Sequence, residues 1–197
     1  KDAILVDGQY FKADADKVVD LVKRSGKTLK LIYLTHAHPD HYLGLGALAA
    51  AFPGVPIQSA PEVVADFNAK APAVFAAQQK ALPAGSLPDK LATLSAVSGD
   101  HLELEGEALQ IIKLADGEAK VATALYGARQ QLLLSGDNLY NRAYLWMAEC
   151  NSAGWQQNIE KLRALGGLAQ IYPGHGPAPA TAAVLDEDLA YLREVPA

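Results

Sequence analysis

The chain has 197 residues, half of them hydrophobic and a fifth charged. That balance suits one globular domain with a sizeable core. A net charge of −5 without any run of Lys or Arg argues against a nucleic-acid groove or an anionic membrane surface as the main partner.

The first quarter alternates strand and helix. Ala3–Asp7 is a short apolar run that ends at Gly8. Asp14 is placed to cap a helix in which Val18, Leu21 and Val22 form an apolar stripe, with Gly26 as its stop. Leu29–Leu34 is the next strand, and Tyr42–Phe52 reads as an apolar helix ended by Pro53-Gly54. The uncharged stretch from Tyr42 to Ala60 is broken by glycines and by Pro53 and Pro56, so it is not a membrane span. This alternation predicts an α/β layered fold. Residues 59–93 are rich in Ala, Gln and Pro and read as a helical insertion of two short helices, Pro61–Ala69 and Pro72–Leu82. The insertion is either a surface hairpin or a lid beside a pocket.

From residue 97 the pattern changes to short strands at His101–Leu104, Ala108–Leu114, Val121–Tyr126 and Gln131–Leu134. A helix capped by Ser152, a strand at Ala169–Tyr172 and a helix opened by Thr181 complete the chain. Cys150 is the only cysteine, so no intrachain disulfide is possible, and it reads as a small buried hydrophobe. Trp155 reads as core and His101 as a surface residue.

Between the second strand and the next helix stands Thr35-His36-Ala37-His38-Pro39-Asp40-His41. Three of the chain's five histidines lie here. His36 and His38 are two apart, so in an extended backbone their rings project to one side. Imidazole nitrogens with a carboxylate are donors that zinc accepts. Two later strands deliver one further donor each. Leu132-Leu133-Leu134-Ser135-Gly136-Asp137 ends in Asp137, and Ala169-Gln170-Ile171-Tyr172-Pro173-Gly174-His175-Gly176 ends in His175. Three ligand-bearing strand ends predict convergence at one sheet edge.

With these motifs the chain resembles the metallo-β-lactamase-fold hydrolases over nearly its whole length. The Gly-Asp and Pro-Gly-His-Gly segments are more similar to glyoxalase II-type and lactonase-type members than to a true β-lactamase. The resemblance implies a four-layer αββα sandwich over residues 1–197, with further strands ahead of the segment like Ala3–Asp7. It implies that His36 and His38 bind a first metal, that Asp40, His41 and His175 bind a second, and that Asp137 bridges them. One or two zinc ions are expected, with manganese or iron as alternatives. Such a site uses a metal-activated hydroxide to cleave an ester, lactone, thioester or amide, and Asp40 orients the water or hands its proton to the leaving group. Asp7 is expected behind the ligands. Tyr140, Tyr144 and Trp146 follow Asp137 closely and border the expected substrate pocket.

One departure stands out. The family supplies a third histidine to the first metal from a loop ahead of the bridging Asp, whereas this chain reads Leu114-Ala115-Asp116-Gly117-Glu118-Ala119-Lys120 there. Asp116 falls nearest the expected position, with Glu118 in reserve. Asp116-Gly117 also reads as a plain hairpin turn. The departure leaves two further readings beside the hydrolase: a catalytically weakened metal-binding relative with a structural or partner-binding role, and a phosphodiesterase. The expected partner is a small molecule, without nucleic acid or membrane. The composition suits a soluble globular chain, expected in a bacterial-type cytoplasm or periplasm, and the sequence does not choose the compartment.

Overall fold

The computed structural model describes residues 1–148 and 151–194, so Cys150 lies outside the described residues. The chain falls into two compact units. The first comprises Lys1–Gly99 with Leu104–Gly106; the second comprises Asp100–Glu103 and the chain from Glu107 onward.

The first unit is built on four parallel strands, β1 (Asp2–Val6), β2 (Thr28–Tyr33), β3 (Ile57–Ser59) and β4 (Ser95–Ala96), in the order β1-β2-β3-β4. Parallel neighbours need crossover connections. Here they are helices α1 (Lys12–Arg24), α2 (Pro39–Tyr42), α3 (Leu45–Ala51) and α4 (Pro61–Ala81). Helix α1 starts two residues ahead of Asp14, which lies in its first turn and pairs with Lys17 instead of capping. Gly26 ends it as expected, at φ 66°. Helix α3 stands apart from α2 because the Gly44 amide donates to Gln9 O at 2.8 Å. A Cβ on Gly44 would lie 2.2 Å from Gly8 O, so the two backbones meet only at glycine.

Helix α4 corrects the expectation of two helices. It runs unbroken for 21 residues with Pro72 inside it. Proline removes one backbone donor. Val63, Phe67, Ala71 and Phe75, each one step of four along the helix, are all buried and span the proline. Phe67 meets the ring of Tyr42 edge-on, with centroids 5.1 Å apart. This continuous apolar stripe outweighs the missing hydrogen bond. Strands β3 and β4 are too short and too poorly patterned to stand out in the sequence.

The second unit carries a five-stranded sheet in the order β5-β6-β7-β8-β9. Its strands are β5 (His101–Leu104), β6 (Glu107–Ala115), β7 (Val121–Gly127), β8 (Leu132–Tyr140) and β9 (Gln170–His175). Pairing is antiparallel from β6 to β8 and parallel between β8 and β9. Helices α5 (Ser152–Arg163) and α6 (Ala183–Glu194) pack on each other and against this sheet. Asn151, not Ser152, caps α5, its side chain accepting from the Gly154 amide at 3.0 Å. Trp155 is fully buried with Leu133, Leu139, Ile159 and Leu189 in the unit's core. Truncating such a side chain to Ala costs about 3–5 kcal/mol.

Asp188, on α6, is buried among these side chains and accepts a hydrogen bond from the Tyr140 amide at 2.8 Å. Burial pushes its carboxyl up to about 7, against the lowering effect of that amide, and the neighbouring charge of Glu187 adds to the rise. An unfolded aspartate titrates near pH 4, so the folded state holds the extra proton between pH 4 and 7. The associated stability is complete below about pH 4 and is lost as pH rises through 7. Asp188→Asn keeps an acceptor oxygen without the charge. The stability of Asp188→Asn relative to wild type is expected to climb from pH 4 to pH 7 by a few kcal/mol at most and to level off above, and its relative melting temperature to rise with it. Thermal melts at stepped pH check this.

Candidate metal centre

In the first unit, β2 ends at Tyr33 and the chain passes through Thr35, His36 and His38 into α2. Pro39 opens that helix and His38 is its N-terminal flanking residue. The His36 ring lies 4.7 Å from that of His38 and 4.2 Å from that of His41, centroid to centroid. Asp40 is half-exposed, with Oδ2 3.5 Å from His41 Nε2. The first unit therefore brings all four residues of the opening cluster together.

Asp7 organises them. It follows β1 in left-handed conformation at φ 63°, and its amide donates to Tyr33 O at 2.8 Å. Its carboxylate accepts from the Thr35 amide at 2.8 Å and from the Thr35 hydroxyl at 2.9 Å, and lies 2.8 Å from His41 Nδ1. A carboxylate can only accept, so Nδ1 of His41 carries the proton. The Thr35 hydroxyl spends its hydrogen on Asp7 and so accepts from His36 Nδ1, 3.0 Å away. In the neutral form of each ring, so bonded, Nε2 is the lone-pair nitrogen. Both Nε2 atoms are buried, each with under 1 Å² exposed.

In the second unit, parallel pairing of β8 with β9 sets Tyr140 opposite His175 and Gly136 opposite Pro173. Asp137 and His175, 38 residues apart, thereby meet: His175 Nε2 lies 3.1 Å from Asp137 Oδ2. The hydroxyl of Tyr140 donates to the same oxygen at 2.9 Å, and its ring stacks on His175 with centroids 5.0 Å apart. Asn138 beside them accepts the indole N–H of Trp155 through its carbonyl at 2.9 Å. Gly174 is required by proximity, since a Cβ there would fall 1.9 Å from Asp137 Oδ1.

The loop joining β6 to β7 treats its two acids differently. Asp116 takes left-handed backbone at φ 49°, is 54% exposed at its side chain and pairs with Lys120. It is a hairpin residue, the Asp116 amide donating to Lys120 O at 3.1 Å. Glu118 is 2% exposed. A Glu118 oxygen and an Asp137 oxygen lie within 4.8 Å of each other, as do donor atoms of Asp137 and His175. Two carboxylates that close repel by about 3 kcal/mol at an effective dielectric of about 20, and a cation between them turns that repulsion into attraction. Each unit's donor chemistry, imidazoles in the first and carboxylates with an imidazole in the second, suits a divalent metal.

Among the other residues singled out from the sequence, Tyr140 is buried on Asp137, whereas Tyr144 and Trp146 are 91% and 59% exposed. His101 is a surface residue bonded to Asp100 at 3.0 Å, and Trp155 is core. Sequence reasoning missed the parts played by Thr35, Tyr140 and Gly174. The only signals were that Thr35 precedes the cluster and that Tyr140 follows Asp137 by three.

The chain belongs to the metallo-β-lactamase superfamily, whose sequence profile matches residues 1–184; this is a superfamily of metal-dependent hydrolases. It is 23% identical over 163 residues to the hydroxyacylglutathione hydrolase of Haemophilus ducreyi, a match covering 83% of this chain and 58% of that relative's length. Among solved structures, a metallo-β-lactamase from Pontibacter korlensis superposes with a TM-score of 0.74 at 19% identity, over 98% of this chain and 83% of that one. The metallo-β-lactamase FIM-1 of Pseudomonas aeruginosa, in its mono-zinc form, superposes with a TM-score of 0.71 at 16% identity, over 98% and 79%. The mixed α/β fold with two helix-flanked sheets is therefore that of the metallo-β-lactamases. Among the described residues, no helix is long and apolar enough to cross a membrane.

Gly174→Ala is expected to displace Asp137 and lower the metal retained per chain, while the far-ultraviolet circular dichroism stays native. Metal analysis on the folded variant checks this.

Proposed function

We propose that the protein is a hydrolase of small molecules that cleaves an ester, lactone, thioester or amide bond. In this reading His36, His38, Asp40, His41, Asp137 and His175 would hold one or two zinc ions. The observation that carries it is the orientation of the two buried histidines: Nδ1 of His36 faces Thr35 and Nδ1 of His41 faces Asp7, which turns each Nε2, a nitrogen that zinc takes from imidazole, to the opposite side of its ring. Carboxylates and hydroxyls behind ligating histidines do the same in metal sites generally, and losing them typically costs 10–100-fold in affinity or activity.

When bound, the ions supply an activated water at neutral pH and positive charge for the developing oxyanion. The chain's own residues do the rest. Asp40, half-exposed beside His41, positions the attacking water and passes a proton to the leaving group. Tyr140 holds Asp137 in place instead of meeting the substrate. Tyr144 and Trp146, the exposed aromatics of the same segment, are the side chains offered to it. The thioester is the first substrate to try, because the relative from Haemophilus ducreyi is named a hydroxyacylglutathione hydrolase. The absence of a histidine from the β6–β7 loop favours a second reading, in which metal is held for structure or partner binding only.

Purified protein is expected to retain one or two ions and to hydrolyse a member of a panel of thioesters, esters, lactones, phosphodiesters and a cephalosporin. Asp40→Ala should lower kcat by at least ~100-fold with the melting temperature little changed. A metal-loaded protein that turns over nothing on the panel would favour the second reading. A chain that retains no metal would remove both.

A further inference from the structure

Glu118 is the more informative acid of the β6–β7 loop, and the inference it carries rests on the metal-centre reading above. We propose that Glu118, and not Asp116, takes the ligand position that the superfamily gives to a histidine, so that a carboxylate oxygen replaces an imidazole nitrogen among the donors to this chain's first metal, and that selectivity is thereby shifted from zinc towards a harder ion, manganese(II) or iron(II). Three observations within the second unit support it. Glu118 is buried to 2% exposure, and both its carboxylate oxygens show under 1 Å² to solvent. One of those oxygens lies within 4.8 Å of an Asp137 oxygen. Asp116 is turned outward and paired with Lys120.

The loop is built to hold this arrangement. The Asp116 and Gly117 amides donate to Lys120 O and Ala119 O at 3.1 and 3.2 Å, closing it upon itself. From the flanks, the Asn151 amide donates to Gly117 O at 3.1 Å and the Asn158 side-chain amide to Ala115 O at 3.1 Å. Gly154 lets α5 approach, since a Cβ there would fall 1.8 Å from Asp116 O. A loop pinned at both ends and from the side keeps one acid in and the other out. A cation between two close carboxylates is attracted to both. Replacing an imidazole by a carboxylate adds a negative charge and a hard oxygen donor, which moves selectivity along the divalent series away from zinc.

The test is metal competition on the intact chain. Apoprotein is equilibrated anaerobically with equimolar zinc and manganese(II), then with zinc and iron(II), and the ions retained are counted by mass spectrometry. Relative to wild type, Glu118→Gln should weaken binding of one ion by at least about tenfold. Glu118→His should raise the zinc share of retained metal, and Asp116→Ala should leave both affinity and selectivity unchanged. If Glu118→Gln unfolds, Glu118→His still decides, because it restores a nitrogen donor and should fold with metal. Loss of an ion in Asp116→Ala, or a zinc share in Glu118→His equal to that of wild type, overturns the proposal. In either case wild type still binds metal, so the metal-centre reading stands. If wild type itself retains no ion of any kind, that reading fails together with the inference.

Discussion

The candidate centre depends first on one carboxylate. Asp7 sits just past the end of β1 and accepts from the backbone and hydroxyl of Thr35 while binding the Nδ1 side of His41. Because a carboxylate can only accept, this one residue dictates the direction of every hydrogen bond around it. The Thr35 hydroxyl must point to Asp7, His36 must therefore point to Thr35, and both rings turn their lone pairs the other way. The same residue ties strand to turn: its amide continues the pairing with β2, and the Gly8 amide next to it donates to His41 O at 2.7 Å. The strand that forms the edge of the first sheet thus also sets the chemistry at its end.

In the second unit the equivalent constraint is the parallel pairing of β8 with β9. Parallel neighbours require a long crossover, here the segment containing α5, so residues far apart in the chain come to the same level of the sheet. That brings His175 to Asp137 with Tyr140 as their brace. The brace is itself anchored from behind, since Asp188 on α6 holds the Tyr140 amide. A buried acid with a raised titration point is a stability cost at neutral pH. Its position behind a residue that touches Asp137 accounts for why the fold carries it: the hydrogen bond fixes the backbone at the point where β8 leaves its regular register with β9.

Much of this was legible in the sequence because donor chemistry and strand-end placement are local. His36, His38, Asp40 and His41 share six residues, and Gly-Asp and Pro-Gly-His-Gly each close an apolar run, so neither needs long-range information to be noticed. The strand and helix boundaries were legible where one face is buried and illegible where packing overrides local preference. Pro72 signals a break, yet four buried side chains at spacing four carry the helix through it. Ser152 signals a cap, yet the residue before it performs that task.

The choice between Asp116 and Glu118 shows where sequence reading stops. By spacing, Asp116 stands closer to the superfamily's histidine, and Asp-Gly is an equally good turn. Two residues' difference in a five-residue loop cannot be resolved by counting, because the direction of each side chain depends on the loop's backbone, and that backbone is set by Asn151, Asn158 and Gly154 from a helix more than thirty residues further along. The sequence by itself determined the donor types and the superfamily, and placed His175 at its strand end, whereas Asp137 lies within β8, which runs on to Tyr140. The tertiary structure alone decided which donors are buried, which nitrogen each buried imidazole presents, and which acid of the hairpin faces inward, because burial and hydrogen-bond direction come from neighbours distant in the chain.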